Sequence, residues 1–212
     1  MDLFLAAHQA GPAGQVIGVD MTEEQLAKAR RLAARYGYTT VRLEPGYIEQ
    51  APVDDRSAEV VISNSVINLC EHKTAVFGEI ARILKPGGRT AISDIVTEGQ
   101  LTDAIVCDAS LWAARTGGAM QQDDYRRAIE DAGLTLRAVQ ENPQYHFISD
   151  SAQGATKTFG VKTISVLASK RTGSRTCSPG GSPPARPGVN QDVVPRLVPP
   201  DRSIGHNGRR WL

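Results

Sequence analysis

The chain is short of cysteine, of net charge and of long apolar runs, and each shortage removes a class of protein. Its three cysteines, Cys70, Cys107 and Cys177, are odd in number and irregularly spaced. That pattern excludes a paired disulfide framework, a CxxC redox couple and a zinc knuckle. A formal charge of +1 supplies no basic excess for nucleic acid or an anionic membrane. No apolar run has the length of a membrane span, and the leading MDLFLAAHQAG lacks the basic start of a signal peptide. The four histidines, His8, His72, His146 and His206, have no paired spacing, so no metal is expected. The expectation is a protein of the reducing cytoplasm that handles small molecules, with no nucleic-acid or membrane partner.

Proline is sparse until Arg171 and dense afterwards. Seven of the twelve prolines (179, 183, 184, 187, 195, 199 and 200) fall in the last stretch, among Gly, Ser and Arg and without any apolar period. The expected organisation is a domain over 1–171 and a disordered Pro/Gly/Arg-rich tail over 172–212. The tail carries six arginines against two aspartates; a solvated extension explains this more simply than a tether for an acidic partner.

Within 1–171 short apolar runs alternate with amphipathic stretches. Asp2 to Gln9 reads as part of a helix, closed by Gly11-Pro12 and Gly14. The run VIGVD, Val16 to Asp20, reads as a buried parallel strand. Thr22-Glu23-Glu24-Gln25 has the spacing of a capping box, and Leu26, Ala29, Ala33 and Tyr36 continue at helical intervals up to Gly37. Thr40 to Leu43 and Ala58 to Ser63 read as strands, and Lys73 to Leu84 as a helix with Val76, Phe77, Ile80 and Leu84 on one face. Lys85-Pro86-Gly87-Gly88 then breaks that helix before a strand from Arg89 to Val96. A helix from Asp123 to Gly133 follows, with strands Leu134 to Gln140 and Val161 to Ser169 closing the sheet. This alternation implies an α/β fold, a doubly wound and mostly parallel sheet.

Ligands of such sheets bind beyond the carboxyl ends of the strands. That rule selects Asp20 and Met21, Ile48 and Glu49, Ser63 to Asn68, and Asp94. Asp20 is placed to accept both hydroxyl hydrogens of a ribose; its plainer role is an acid near a helix start. Glu49 is either a surface acid or a neighbour of an adenine edge. Asn64 is either a turn residue or a cofactor contact. Asp94 lies inside the apolar run TAISDIV, so burial would oblige it to find a partner, by a structural hydrogen bond or a substrate contact.

Taken together, VIGVDMTEEQLAKAR, GYIEQAP, VVISNSVINLCEHK, ILKPGGRTAISDIV and LWAARTGGA resemble the class I S-adenosylmethionine-dependent methyltransferases, arsenite methyltransferase branch. The likeness runs from about residue 3 to 140 and weakens toward Arg171. It implies a Rossmann-like fold, S-adenosylmethionine as methyl donor and a small-molecule acceptor. Carried over onto matching positions, Asp20 would hold the ribose hydroxyls and Met21 would pack on the adenine. Ile48 and Glu49 would lie along the adenine edge, and Asn64 would approach the methionine part.

Three departures accompany the likeness. The family's first strand and glycine-rich turn, which precede the helix LFLAAHQAGP, have no counterpart in this sequence, so an N-terminally incomplete sheet is expected. The family's cysteine in SNCVINL is Ser65 here, and a second, shortly before GGA, is Arg115. Arsenic is thiophilic, so these changes weaken arsenite as the acceptor; Cys70 and Cys107 lie nearby, though buried inert thiols are the simpler reading. The third departure is the proline-rich tail. The alternatives are a methyltransferase of a carbon or oxygen nucleophile such as a quinone precursor, which Arg115 would suit if the acceptor were anionic, a catalytically inactive fragment or interaction remnant, and, more remotely, a nicotinamide dehydrogenase.

Overall fold

The computed structural model describes residues 2–106, 117–144, 154, 158–172 and 210–211. The elements follow in the order α1 (Asp2–Ala10), β1 (Gln15–Asp20), α2 (Glu23–Tyr36), β2 (Val41–Pro45), β3 (Ala58–Asn64), a 3-10 turn (Ile67–Leu69) and α3 (Lys73–Ile83). Then come β4 (Leu84–Thr97), α4 (Asp103–Val106), β5 (Met120–Gln121), α5 (Gln122–Asp131), β6 (Leu134–Glu141), β7 (Lys162–Lys170) and β8 (Arg210–Trp211). Cys107, Arg115, Cys177, His146, His206 and most of the proline-rich segment lie outside the described residues.

The sheet runs β2-β1-β8-β3-β4-β7-β6, with β5 pairing off the edge of β4. Pairs from β2 to β4 are parallel, whereas β7 is antiparallel to both β4 and β6. The sheet is mostly parallel, as expected, and is closed by the antiparallel strands β7 and β6. One face packs on α3 and α5, where Val76, Phe77, Ile80, Tyr125 and Ile129 meet Ile17, Val61, Ile92 and Ile164. The other face meets α1, where Ala6 and Ala7 cover Val16 and Ile62. Helices thus lie on both faces, as a doubly wound sheet requires.

Three local expectations are corrected. Thr22 occupies the helix-start position but its hydroxyl makes no capping bond. Asp20 Oδ1 instead accepts the Thr22 N–H at 2.8 Å, because a carboxylate two residues upstream is a stronger acceptor than a hydroxyl and closes an Asx turn. The helix does end as expected: Gly37 is left-handed at φ 71, and its N–H reaches the Ala33 and Ala34 carbonyls.

The Lys85–Gly88 breaker lies inside β4 rather than before it. The chain becomes extended at Leu84, and the pairing jumps from Ala58↔Leu84 to Val60↔Arg89. Four residues bulge opposite Glu59 there: Pro86 has no N–H to give the ladder, and Gly87 is left-handed at φ 79. Lys85 pairs with Glu59 across the bulge.

The last correction concerns Arg210 and Trp211, which the composition places in a structureless tail. They form a short parallel strand between β1 and β3, facing Gln15 and Val16 on one side and Val60 on the other. Two parallel strands held one strand's width apart present unsatisfied backbone groups to the gap, and any extended segment of the right length lowers that cost. β8 fills only the amino-terminal end, so β1 from Ile17 to Asp20 has β2 as its ladder partner among the described residues.

Candidate functional site

The carboxyl ends of β1 and β2 are fastened together. Asp20 faces Pro45 in the register, and the Gly46 N–H donates to the Asp20 carbonyl at 3.1 Å. Gly46 has no Cβ for a reason: one would stand 2.7 Å from Pro52 Cδ. The turn from Tyr47 to Gln50, closed by a 3.1 Å backbone bond, therefore begins beside Asp20. Four of the sequence-selected residues, Asp20, Met21, Ile48 and Glu49, share this edge. Asp20 is half-buried; Oδ1 is engaged by Thr22, while Oδ2 has no protein donor among the described residues. Ile48 packs on the main core. Met21 is 71% exposed.

Asn64 ends β3 on the other side of β8, two strand spacings or about 10 Å from β1. Its side chain is committed locally: Nδ2 donates to Asp2 Oδ2 at 3.1 Å and Oδ1 accepts the Ser65 hydroxyl at 3.3 Å. The structure brings Asn64 to the same rim without joining it to Asp20.

The rim is apolar in an unusual place. Of the eight large apolar side chains exposed among the described residues, four (Met21, Tyr47, Val66 and Leu69) closely follow the carboxyl ends of β1, β2 and β3. Such residues cost solubility unless a ligand or another segment covers them.

Behind the rim the loop from Ser65 to Cys70 is tightly held. Ser65 is left-handed at φ 54, and its N–H donates to the Ser93 carbonyl at 2.7 Å. Asp94, 1% exposed, accepts the Ile95 N–H at 2.9 Å and the Tyr125 hydroxyl at 3.1 Å. Of its two sequence-level readings, the structural hydrogen bond is the one observed. Burial pushes the Asp94 carboxyl up to about 6, against the pull of those donors and of Lys73. Burial, reinforced by Asp94, raises the Tyr125 phenol well above its usual value. Lys73 Nζ donates to the Cys70 carbonyl at 2.6 Å, and desolvation lowers its pKa.

Cys70 is not a poised nucleophile. Its S–H donates to the Val66 carbonyl at 3.7 Å, and burial, then the charge of Glu49, push the thiol up to about 12, so at neutral pH it is protonated. Among the described residues no group of three or more His, Cys, Asp and Glu stands close enough to hold a metal.

A second clamp sits beneath the segment after Glu49. Glu79, 8% exposed, accepts the Ala51 N–H at 2.7 Å and two bonds from Arg82, at 2.7 and 2.8 Å. Arg82 in turn donates to the Val53 and Ala51 carbonyls at 2.7 and 3.2 Å and pairs with Asp55. Sequence reasoning missed Glu79, Arg82, Lys73 and Tyr125. A signal existed for two: Tyr125 precedes Ala128 and Ile129 at helical spacing in an otherwise polar helix, and Glu79 falls beside the apolar stripe of α3.

The same chain from residue 1 to 133 matches the family model described as a methyltransferase domain. It is 41% identical over 150 residues to the arsenite methyltransferase of Halobacterium salinarum, covering 70% of this chain and 38% of that protein. It is 38% identical over 159 residues to the arsenite methyltransferase of Aquipseudomonas alcaligenes, covering 71% of this chain and 45% of the relative. The chain thus spans less than half the length of these curated relatives. The structure superposes on an arsenic(III) S-adenosylmethionine methyltransferase from Chlamydomonas reinhardtii with a TM-score of 0.65 and 28% identity, over 81% of this chain and 60% of that one. A Rossmann-like sheet, the rim at its carboxyl edge and a family match over more than half of its length agree: the chain belongs to the S-adenosylmethionine-dependent methyltransferases.

Proposed function

We propose that the chain binds S-adenosylmethionine along the β1–β2 edge and promotes methyl transfer to a small-molecule acceptor held near the Ser65–Cys70 loop. The observation that carries this reading is the placement of exposed apolar residues: half of them stand on the rim where Asp20 also offers an uncommitted carboxylate oxygen. The donor set fits the cofactor. Asp20 Oδ2 suits ribose hydroxyls, Met21 and Ile48 suit an adenine face, and Glu49 lies beside them, while Asn64 can reach the methionine part once its bond to Asp2 opens. Bound there, the cofactor supplies a methyl carbon already activated by its sulfonium, so the protein's contribution is orientation and exclusion of water. No dedicated acid or base is required.

The relatives make arsenite the first acceptor to test. A carbon or oxygen nucleophile is the second, favoured by two observations: an oxygen stands at Ser65 where the family has sulfur, and Cys70 keeps its proton. Titration calorimetry with S-adenosylhomocysteine, followed by incubation with methyl-labelled cofactor and either arsenite or a hydroxyquinone, separates these. Binding that D20N weakens about ten-fold or more, the loss of one charge-assisted pair of hydrogen bonds, supports the reading. No heat at millimolar ligand leaves the inactive-fragment alternative.

A further inference from the structure

We propose that the chain carries a second ligand site, for a small dianionic oxyanion, at the amino-terminal end of β4 and remote from the cofactor rim. The site is an open cavity of about 290 Å³ on the outer face of β4, β7 and β6, with Arg89, Arg137, Leu167, Ser169, Lys170 and Thr172 in its lining. Arg89 stands about 26 Å along β4 from Thr97 at the strand's carboxyl end.

The strand pattern explains why these residues converge. In β7, Ile164, Val166 and Ala168 face the core with α3 and α5, so Leu167 and Ser169 face the other way. Arg89 of β4 is the register partner of Ser169, and residues paired in this way share a face. On the other flank the β6–β7 register jumps from Leu136↔Ala168 to Ala138↔Leu167. Arg137 is the extra residue of that bulge, re-aimed so that its Nε donates to the Ser169 hydroxyl at 2.8 Å. Two guanidiniums thus flank one strand, with their backbones about 10 Å apart, and a ligand between them is within reach of both. The bulge of β4 opens on the same cavity: a Cβ at Gly87 would stand 2.8 Å from Thr172 Cγ2, which forms the wall.

The charges here are unbalanced. No acidic residue lines the cavity, and neither Arg89 nor Arg137 forms an ion pair among the described residues. Lys170 adds a third cation, its ammonium anchored by the Ala81 and Leu84 carbonyls at 2.6 and 2.9 Å. Residues 172–212 bring six arginines against two aspartates, so the tail of this chain is a poor counter-ion. Guanidinium pairs select planar or tetrahedral oxyanions that accept two hydrogen bonds, which means phosphate or carboxylate. The volume lies near the lower limit of about 300 Å³ for small-molecule sites, and suits a phosphate monoester or a short dicarboxylate rather than a peptide. Leu167, 37% exposed, offers an apolar surface to the ligand's stem.

The test titrates the full chain, at fixed ionic strength, with inorganic phosphate, phenyl phosphate and succinate, and follows backbone amide resonances. Saturable shifts are expected at residues 87–89, 137 and 167–170, with 20–21, 47–49 and 64 unmoved. Phenyl phosphate should bind more tightly than inorganic phosphate because its ring covers Leu167; the better of phenyl phosphate and succinate then tells a phosphate ester from a dicarboxylate. R89Q and R137Q should each weaken binding about ten-fold or more, the loss of one charge-assisted pair of hydrogen bonds. R89K, which keeps the charge and loses the planar fork, should fall between R89Q and wild type. The S-adenosylhomocysteine Kd should be the same in wild type and R89Q. Shifts that grow without saturating, that chloride reproduces, or that centre on the cofactor rim overturn the assignment, as does an affinity unchanged in both R89Q and R137Q.

Discussion

Removing the Glu79 carboxylate should do more damage than the loss of any surface charge, and the structure says how much. Glu79 is nearly buried and makes three charge-assisted hydrogen bonds, one to the Ala51 N–H and two to Arg82. Breaking one side of a buried ion pair costs about 3–5 kcal/mol. Arg82 is 34% exposed, and the solvent screening this allows brings the expected cost of E79A to about 3 kcal/mol. R82A should cost about 2 kcal/mol, since Glu79 keeps the Ala51 N–H but stays charged in a nearly dry place. The two losses overlap, so E79A/R82A should cost about 1–2 kcal/mol less than their sum. Urea unfolding of the wild type and the three variants measures the cycle. Because Ala51 and Val53 directly follow the turn that carries Ile48 and Glu49, E79A should also weaken S-adenosylhomocysteine binding in calorimetry. A cost below about 1 kcal/mol for E79A, or a coupling below about 0.5 kcal/mol, would show that the clamp seen between α3 and the 51–55 segment does not hold it.

Asp94 sets a pH dependence of opposite sign to that of an ordinary surface carboxylate. Its folded pKa is raised, from 3.8 to about 6, so the native state binds the proton more tightly than the unfolded chain. Its contribution is most favourable below the lower value and is lost as pH rises through about 6, a change of about 3 kcal/mol. The difference in unfolding free energy between wild type and D94N should follow that slope, and a flat difference from pH 4 to 7 would contradict it. The Cys70 thiol, pushed up to about 12, should resist iodoacetamide at pH 8 in the folded protein and react once urea is added, as read by peptide mass spectrometry. Equal labelling rates in both states would show the thiol is neither buried nor held. At Gly37 a Cβ meets nothing within 4 Å, but φ is 71, so G37A should destabilise by about 1 kcal/mol from backbone conformation alone. A melting temperature unchanged in G37A would place the end of α2 elsewhere.

The alternation of short apolar runs with amphipathic helices, readable from residue 2 to 170, determined the fold class and most element positions. It did so because buried parallel strands and helices have different periods, and both are written in the order of apolar residues. The strand ending in Asp20 and the turn bearing Ile48 and Glu49 were legible for the same reason: the carboxyl edge of a parallel sheet follows from topology alone. What the sequence could not specify were the partners. Asp20 reads as a free acid beside a capping threonine, yet it takes over the Thr22 N–H itself. Asp94 reads as an anomaly in an apolar strand until Tyr125, 31 residues away, meets it. Glu79 and Arg82 read as a helix-surface pair until the 51–55 segment lies across them. Arg210 and Trp211 carry no strand signal at all and pair only because two strands stand apart. Local periodicity is encoded within a few residues, whereas hydrogen-bond partnership depends on which distant groups the fold leaves unsatisfied at the same point, and only the tertiary structure decides that.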